Sequence, residues 1–153
     1  MMRRTVFALV LLAAGVARGE NPTPYPGTRV IDTGRPFAAY VEALQRAVRA
    51  HGLGVVAVAC ADCGARAIGE TLPGNRVIMV FAPRYAVRML RASVAAGIEA
   101  PLRLYVTERP DGTARLTYRL PSAVFAPYEV AELDRMAAEL DAVLAGIVAD
   151  AGR

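Results

Sequence analysis

The chain has 153 residues, 55% of them hydrophobic and 21% charged, with 18 basic against 14 acidic side chains and a formal charge of +4. That length supports one domain, and the composition excludes a disordered polar chain, a collagen-like repeat and a disulfide-dense miniprotein. A positive surplus raises the question of nucleic acid, which depends on where the charge lies.

The surplus is concentrated at the start. Residues 1–19 open Met-Met-Arg3-Arg4, run without charge from Thr5 through Ala17, and close on Arg18-Gly19 before Glu20. A basic n-region, an apolar stretch and small residues at Ala17 and Gly19 predict a secretory signal peptide cut after Gly19. The stretch is shorter than the roughly 20 residues that span a bilayer. The expectation is therefore a periplasmic or secreted protein with no integral membrane span. Cleavage removes Arg3, Arg4 and Arg18 and no acid, so the surplus falls from four to one, and nucleic acid drops out as a partner. Every basic side chain is Arg; this carries no functional weight. Three parts are predicted: residues 1–19 as leader, 20–35 as an extended N-terminal segment, and 36–153 as an α+β domain.

In chain order, Pro22, Pro24 and Pro26 keep residues 21–27 out of regular structure. Residues 29–32 form a short strand. From Pro36 the periodicity turns helical: Phe37, Tyr40, Val41, Leu44, Ala47, Val48 and His51 share one stripe, with Thr33 as a cap and Gly52 as the stop. The Val-rich run 53–59 reads as a buried strand, residues 65–70 as a helical turn, and 76–82 as a second buried strand. Pro83 opens a helix over 84–93, followed by irregular chain to Pro101. Residues 102–109 and 113–120 alternate with period two around Pro110-Asp111-Gly112, a hairpin signal. On it, Leu104, Val106, Leu116 and Tyr118 face inward, and Arg103, Tyr105, Arg115 and Arg119 outward. Residues 121–128 read as a loop, and a long helix runs from 129 to 150 on a stripe of Leu133, Met136, Ala137, Leu140, Leu144, Ile147 and Val148.

Several segments, in order, resemble a known family. They are Gly52-Leu53-Gly54, Cys60-Ala61-Asp62-Cys63-Gly64-Ala65, Pro73-Gly74-Asn75-Arg76-Val77, the stretch from Phe81 to Leu90, the stretch from Ala96 to Tyr105, and the stretch from Pro121 to Tyr128. Together they are similar to an exported branch, carrying a CxxC motif, of the domain of unknown function 302 family. The resemblance implies a small, often dimeric α+β fold with helices packed on a mostly antiparallel sheet; joined to the long C-terminal helix read above, the expected fold is a single α+β domain with its helices on one face of the sheet. It implies no activity, cofactor or catalytic residue.

The most suggestive chemistry is Cys60-x-x-Cys63 at a strand end. The spacing allows a disulfide clip, a dithiol redox pair or half of a metal site. Asp62 between the cysteines opposes thiolate formation, while Arg66 favours it. The chain lacks Trp, and only Pro101 is available as the proline that a thioredoxin-like site places opposite its cysteines. Gly64 after the second cysteine argues against covalent haem attachment. His51, the only histidine, would give at best a third metal ligand beside the cysteines and reads rather as a helix-end residue; no metal site is predicted.

Arg84, Arg88 and Arg91 fall on one helix face and can hold an anion or simply face solvent. Arg103, Arg115 and Arg119 around Tyr105 form a basic, singly aromatic sheet face suited to a ligand or a second subunit. Tyr128 with Phe125 lines a pocket or packs the last helix. Glu99 and Glu108 are the remaining candidates for a general base, and no complete catalytic set is assembled. The sequence thus points to an exported domain, more in keeping with a binding protein than an enzyme, without cofactor, that binds a small ligand or an exported protein and forms a homodimer. The alternative is a thiol–disulfide redox or metal-handling accessory factor using Cys60 and Cys63.

Overall fold

Alternation along Thr28–Pro36 produces the first strand, β1, at one edge of a five-stranded sheet. The computed structural model describes residues 25–153; the expected leader at 1–19, its cleavage after Gly19 and the start of the extended segment lie outside the described residues. β1 is longer than the four residues expected because it continues past an irregularity between Asp32 and Pro36, where Gly34 adopts φ +66°. Thr33 sits in that irregularity. Its hydroxyl donates to the Ala114 carbonyl at 2.8 Å and accepts the Arg35 N–H, so it secures the sheet and does not cap the following helix.

Helix α1, Phe37–Ala50, buries Tyr40, Val41, Leu44, Ala47 and Val48 along the expected stripe. It ends where Gly52, at φ +73°, lets its N–H reach the Arg49 carbonyl and that of Leu53 reach Val48. This paired closure needs a left-handed residue, which glycine supplies without steric cost. α1 carries the chain across the whole sheet to β2, Gly54–Cys60, at the opposite edge. Here the expectation of a buried strand is corrected: Val56 and Val58 are exposed, because β2 has a neighbour on one side only.

Helix α2, Ala61–Ala67, starts directly after Cys60, earlier than the 65–70 turn expected, because Cys60 Sγ accepts the Cys63 N–H as a cap. Strand β3, Asn75–Phe81, is followed by α3, Pro83–Ala92. A short 3-10 turn over Ala95–Glu99 leads to the hairpin β4, Leu102–Glu108, and β5, Thr113–Arg119. The segment expected as a loop is helical instead: α4 covers Pro121–Phe125 and a 3-10 turn covers Ala126–Tyr128. Proline at the first position suits such turns. Glu129, at φ 54°, ends them, so α5 runs Ala131–Gly152, beginning two residues later than the periodicity suggested.

The sheet order is β1-β5-β4-β3-β2, antiparallel throughout. One cluster, with Tyr40, Leu44, Ile78, Leu104, Leu116 and Ile147, lies between α1, the end of α5 and the sheet. A second, with Met89, Phe125, Leu133 and Met136, joins α3 and α4 to the start of α5. Helices therefore cover one face, to which Ile78, Val80, Leu104, Val106, Leu116 and Tyr118 point. By strand alternation the other face carries Ala57 and Ala59 of β2, Val77 and Met79 of β3, Arg103 and Tyr105 of β4, and Arg115, Thr117 and Arg119 of β5.

Candidate functional site

The helix-free face divides by strand. Its β2–β3 half is apolar, with Ala57 paired to Met79 and Ala59 to Val77. Its β4–β5 half is polar: Tyr105 stands between Val77 and Thr117. One step along from the Leu104–Tyr118 pair, Arg103 and Arg119 stand side by side, both exposed. Neither has an ion-pair partner among the described residues. Arg115 differs: its guanidinium forks onto Asp32, Nε to Oδ1 at 2.6 Å and Nη2 to Oδ2 at 3.3 Å, and this hydrogen bonding holds the Asp32 carboxyl below the usual range.

At the β2 end, Cys60 and Cys63 are joined as a disulfide, with Cα atoms 5.2 Å apart. Cys60 is half-buried and Cys63 exposed. Asp62 between them is 4% exposed. Its Oδ1 accepts the Asn75 N–H at 3.0 Å and an Arg76 Nη1 bond, its Oδ2 accepts Arg66 Nη1 at 3.1 Å, and Oδ1 lies 3.4 Å from Cys60 Sγ. Burial works against its charge, but the Asn75 N–H and the Arg76 guanidinium outweigh that cost and set its pKa below the ordinary value. Arg66 also places Nη2 3.5 Å from Cys63 Sγ, and Arg76 lies over the Phe37 ring at 5.5 Å. Asn75 joins corner and face: its amide donates to the Tyr105 hydroxyl at 2.6 Å. Asn75 and Arg76 belong to a segment that carries the family resemblance, but their place beside Asp62 is not legible in the sequence, since only strand pairing brings them there.

Other expected groupings are not assembled. Cys60 is level with Arg76 and Val106, whereas Pro101 precedes Leu102, the partner of Val80. At about 3.3 Å per residue, Pro101 lies roughly 16 Å away along the strands and cannot face the cysteines as in a thioredoxin-like site. His51 lies beyond the opposite end of β2, roughly 20 Å from Cys60 by the same rise. Its Nε2 is 2.8 Å from Asp150 Oδ2. Asp62 replaces it as the third group, and the Cys60, Asp62 and Cys63 ligand atoms lie within 4.8 Å of one another.

Arg84, Arg88, Tyr128, Glu99 and Glu108 are held by internal contacts. Arg84 Nη1 donates to the Gly52 carbonyl at 2.8 Å and its guanidinium covers the Tyr85 ring at 4.8 Å. Arg88 forks onto Glu139 at 2.6 and 3.0 Å and also reaches Glu132, tying α3 to α5. The Tyr128 hydroxyl donates to Glu99 at 3.1 Å; burial and this carboxylate raise its pKa. Glu108 accepts the Gly74 N–H at 2.7 Å. An apolar crevice between α3, α5 and the sheet, lined by Leu53, Val80, Tyr85, Met89, Leu102 and Phe125, encloses about 30 Å³. Small-molecule pockets run to roughly 300–1,000 Å³, so this crevice is a packing gap. No helix among the described residues is long and apolar enough to cross a membrane.

The fold is similar to that of a solved structure of an uncharacterized conserved protein DUF302 from Bacillus stearothermophilus. The two share 20% identity with a TM-score of 0.74, over 84% of this chain and 99% of that one; at that identity the likeness is one of fold. No curated protein matches the chain. The family described as Domain of unknown function DUF302 matches residues 30–151, and by that match over most of its length the protein belongs to it.

Proposed function

We propose that the protein is an exported, non-enzymatic accessory domain that binds a protein partner through the helix-free face of its sheet, and that a second copy of the chain is the first such partner. The observation that carries this reading is the uncovered apolar half-face beside a strand edge that carries no charge and no proline. β1 is guarded as edge strands usually are, by Arg29, Asp32, Arg35, Pro36 and an irregularity. β2 also has a register shift, between Val55 and Ala57, but it holds neither charge nor proline, only Gly, Val, Ala and Cys, and most of it is exposed. Such an edge invites another strand. Arg103 and Arg119, adjacent like charges, gain from any acidic group that a partner brings.

The expected result of light scattering across a concentration series is a dimer, which Arg103→Glu with Arg119→Glu weakens by about tenfold or more. A chain that stays monomeric at every concentration, with the double variant behaving identically, overturns the reading.

A second reading, thiol chemistry as a redox or metal-handling accessory factor, is supported by the exposure of Cys63. It predicts that the Cys60–Cys63 pair exchanges with external thiols; a potential below about −300 mV, typical of structural disulfides, counts against exchange.

A further inference from the structure

We propose that the reduced Cys60–Cys63 pair is a two-sulfur site for a soft monovalent metal ion, with Cu(I) as its type. This deepens the second reading above and is independent of the sheet face. The donor set limits the metal first. Within 4.8 Å stand two sulfurs and one carboxylate, but the Asp62 oxygens already receive bonds from Asn75, Arg66 and Arg76. Recruiting that carboxylate would set a cation beside two guanidinium groups. The only histidine is bonded to Asp150 at the far end of β2. Zinc, which needs four protein ligands or three plus water, lacks its shell. Two thiolates alone suit soft ions.

Charge narrows the choice further. With both sulfurs as thiolates, Asp62, Arg66 and Arg76 leave the cluster at net −1; one monovalent ion brings it to zero, and a divalent ion leaves it positive. Each sulfur also has one donor already placed: the Cys63 N–H lies 3.1 Å from Cys60 Sγ, and Arg66 Nη2 lies 3.5 Å from Cys63 Sγ. Cys63 is exposed and gives the ion its way in.

Filling the site takes two balanced steps. An external dithiol gives two electrons and two protons to the Cys60–Cys63 bond, which breaks to two thiols while the reductant becomes a disulfide. Cu(I) then binds both sulfurs and displaces both protons. Oxidised, the site is closed; reduced, it is open.

The test titrates Cu(I), buffered by a chromogenic chelator, into the full-length protein reduced by a phosphine under anaerobic conditions, with zinc titrated in parallel. The expected result is one Cu(I) per chain, little or no zinc, and no uptake by the oxidised protein, the same fold with its bond intact. Cys63→Ser should abolish uptake, and Arg66→Gln should weaken it by about tenfold, the size of one charge-assisted hydrogen bond. Zinc binding as tightly as Cu(I), equal uptake by the oxidised chain, or full uptake by Cys63→Ser overturns the proposal. So does failure to take Cu(I) while disulfide exchange with a dithiol proceeds, an outcome that leaves the broader thiol reading standing.

Discussion

Asp62 concentrates the local physics of the molecule. It reads in the sequence as a residue that disfavours thiolate at its neighbours, and its real surroundings come from residues 13 and 14 positions further on. Folding lowers its pKa, so its contribution is fully present above the ordinary carboxylate range and is lost as pH falls through the lowered value. Urea unfolding midpoints of the wild type should therefore fall between pH 6 and pH 3. Asp62→Asn should be less stable at neutral pH by about 1–3 kcal/mol, the usual cost of removing charged bonds from a buried acceptor, and should lose less on acidification. A variant whose midpoint falls as steeply as the wild type's would show that the pH dependence lies elsewhere, at Asp32 or Glu132 for example.

Elements follow the sequence where burial and periodicity coincide. The stripe of α1 and that of α5 from Leu133 to Ile147 are buried as the 3.6-residue pattern demands, and the hairpin turn is fixed by Asp111 accepting the Thr113 N–H and hydroxyl. Legibility fails where one pattern has two solutions. The Val-rich run of β2 fits a buried strand and an edge strand equally, because composition does not reveal how many neighbours a strand has. Residues 121–128 carry prolines that suit a loop and short helical turns alike. The contact between α1 and α5 could not be read at all: a Cβ added at Gly146 would lie 2.6 Å from His51 Cε1. Glycine to alanine in a helix is ordinarily worth about 1 kcal/mol in stability, but overpacking here costs about 1–3 kcal/mol. Gly146→Ala should lower the melting temperature, and in a His51→Ala background it should raise it. A gain in both backgrounds would mean that the ring moves freely despite Asp150.

For the whole molecule, the family resemblance in the sequence placed the fold correctly, since an antiparallel sheet with helices on one face is what forms. The helix-free face was half legible: alternation put Arg103, Tyr105, Arg115 and Arg119 outward, but only the strand order shows that β3 extends this face with Val77 and Met79 and that β2 ends it. If that face and edge join two copies, Ala57→Lys, which charges the edge in its middle, should yield a folded monomer with an unchanged circular dichroism spectrum. A dimer as tight as the wild type's would exclude the β2 edge.

The strand order also governs when the chain can fold. β1 comes first among the described elements and pairs only with β5, joining residue 28 to residue 119, while α1 completes its packing against the far end of α5. A chain leaving the ribosome therefore holds a strand without a partner until most of the domain has been made, and it cannot settle from its N-terminus forward as many domains do. Closure waits for the last helix, and pairing over so long a separation is slow. The window in which the polypeptide is complete yet still unfolded is thus built into its topology.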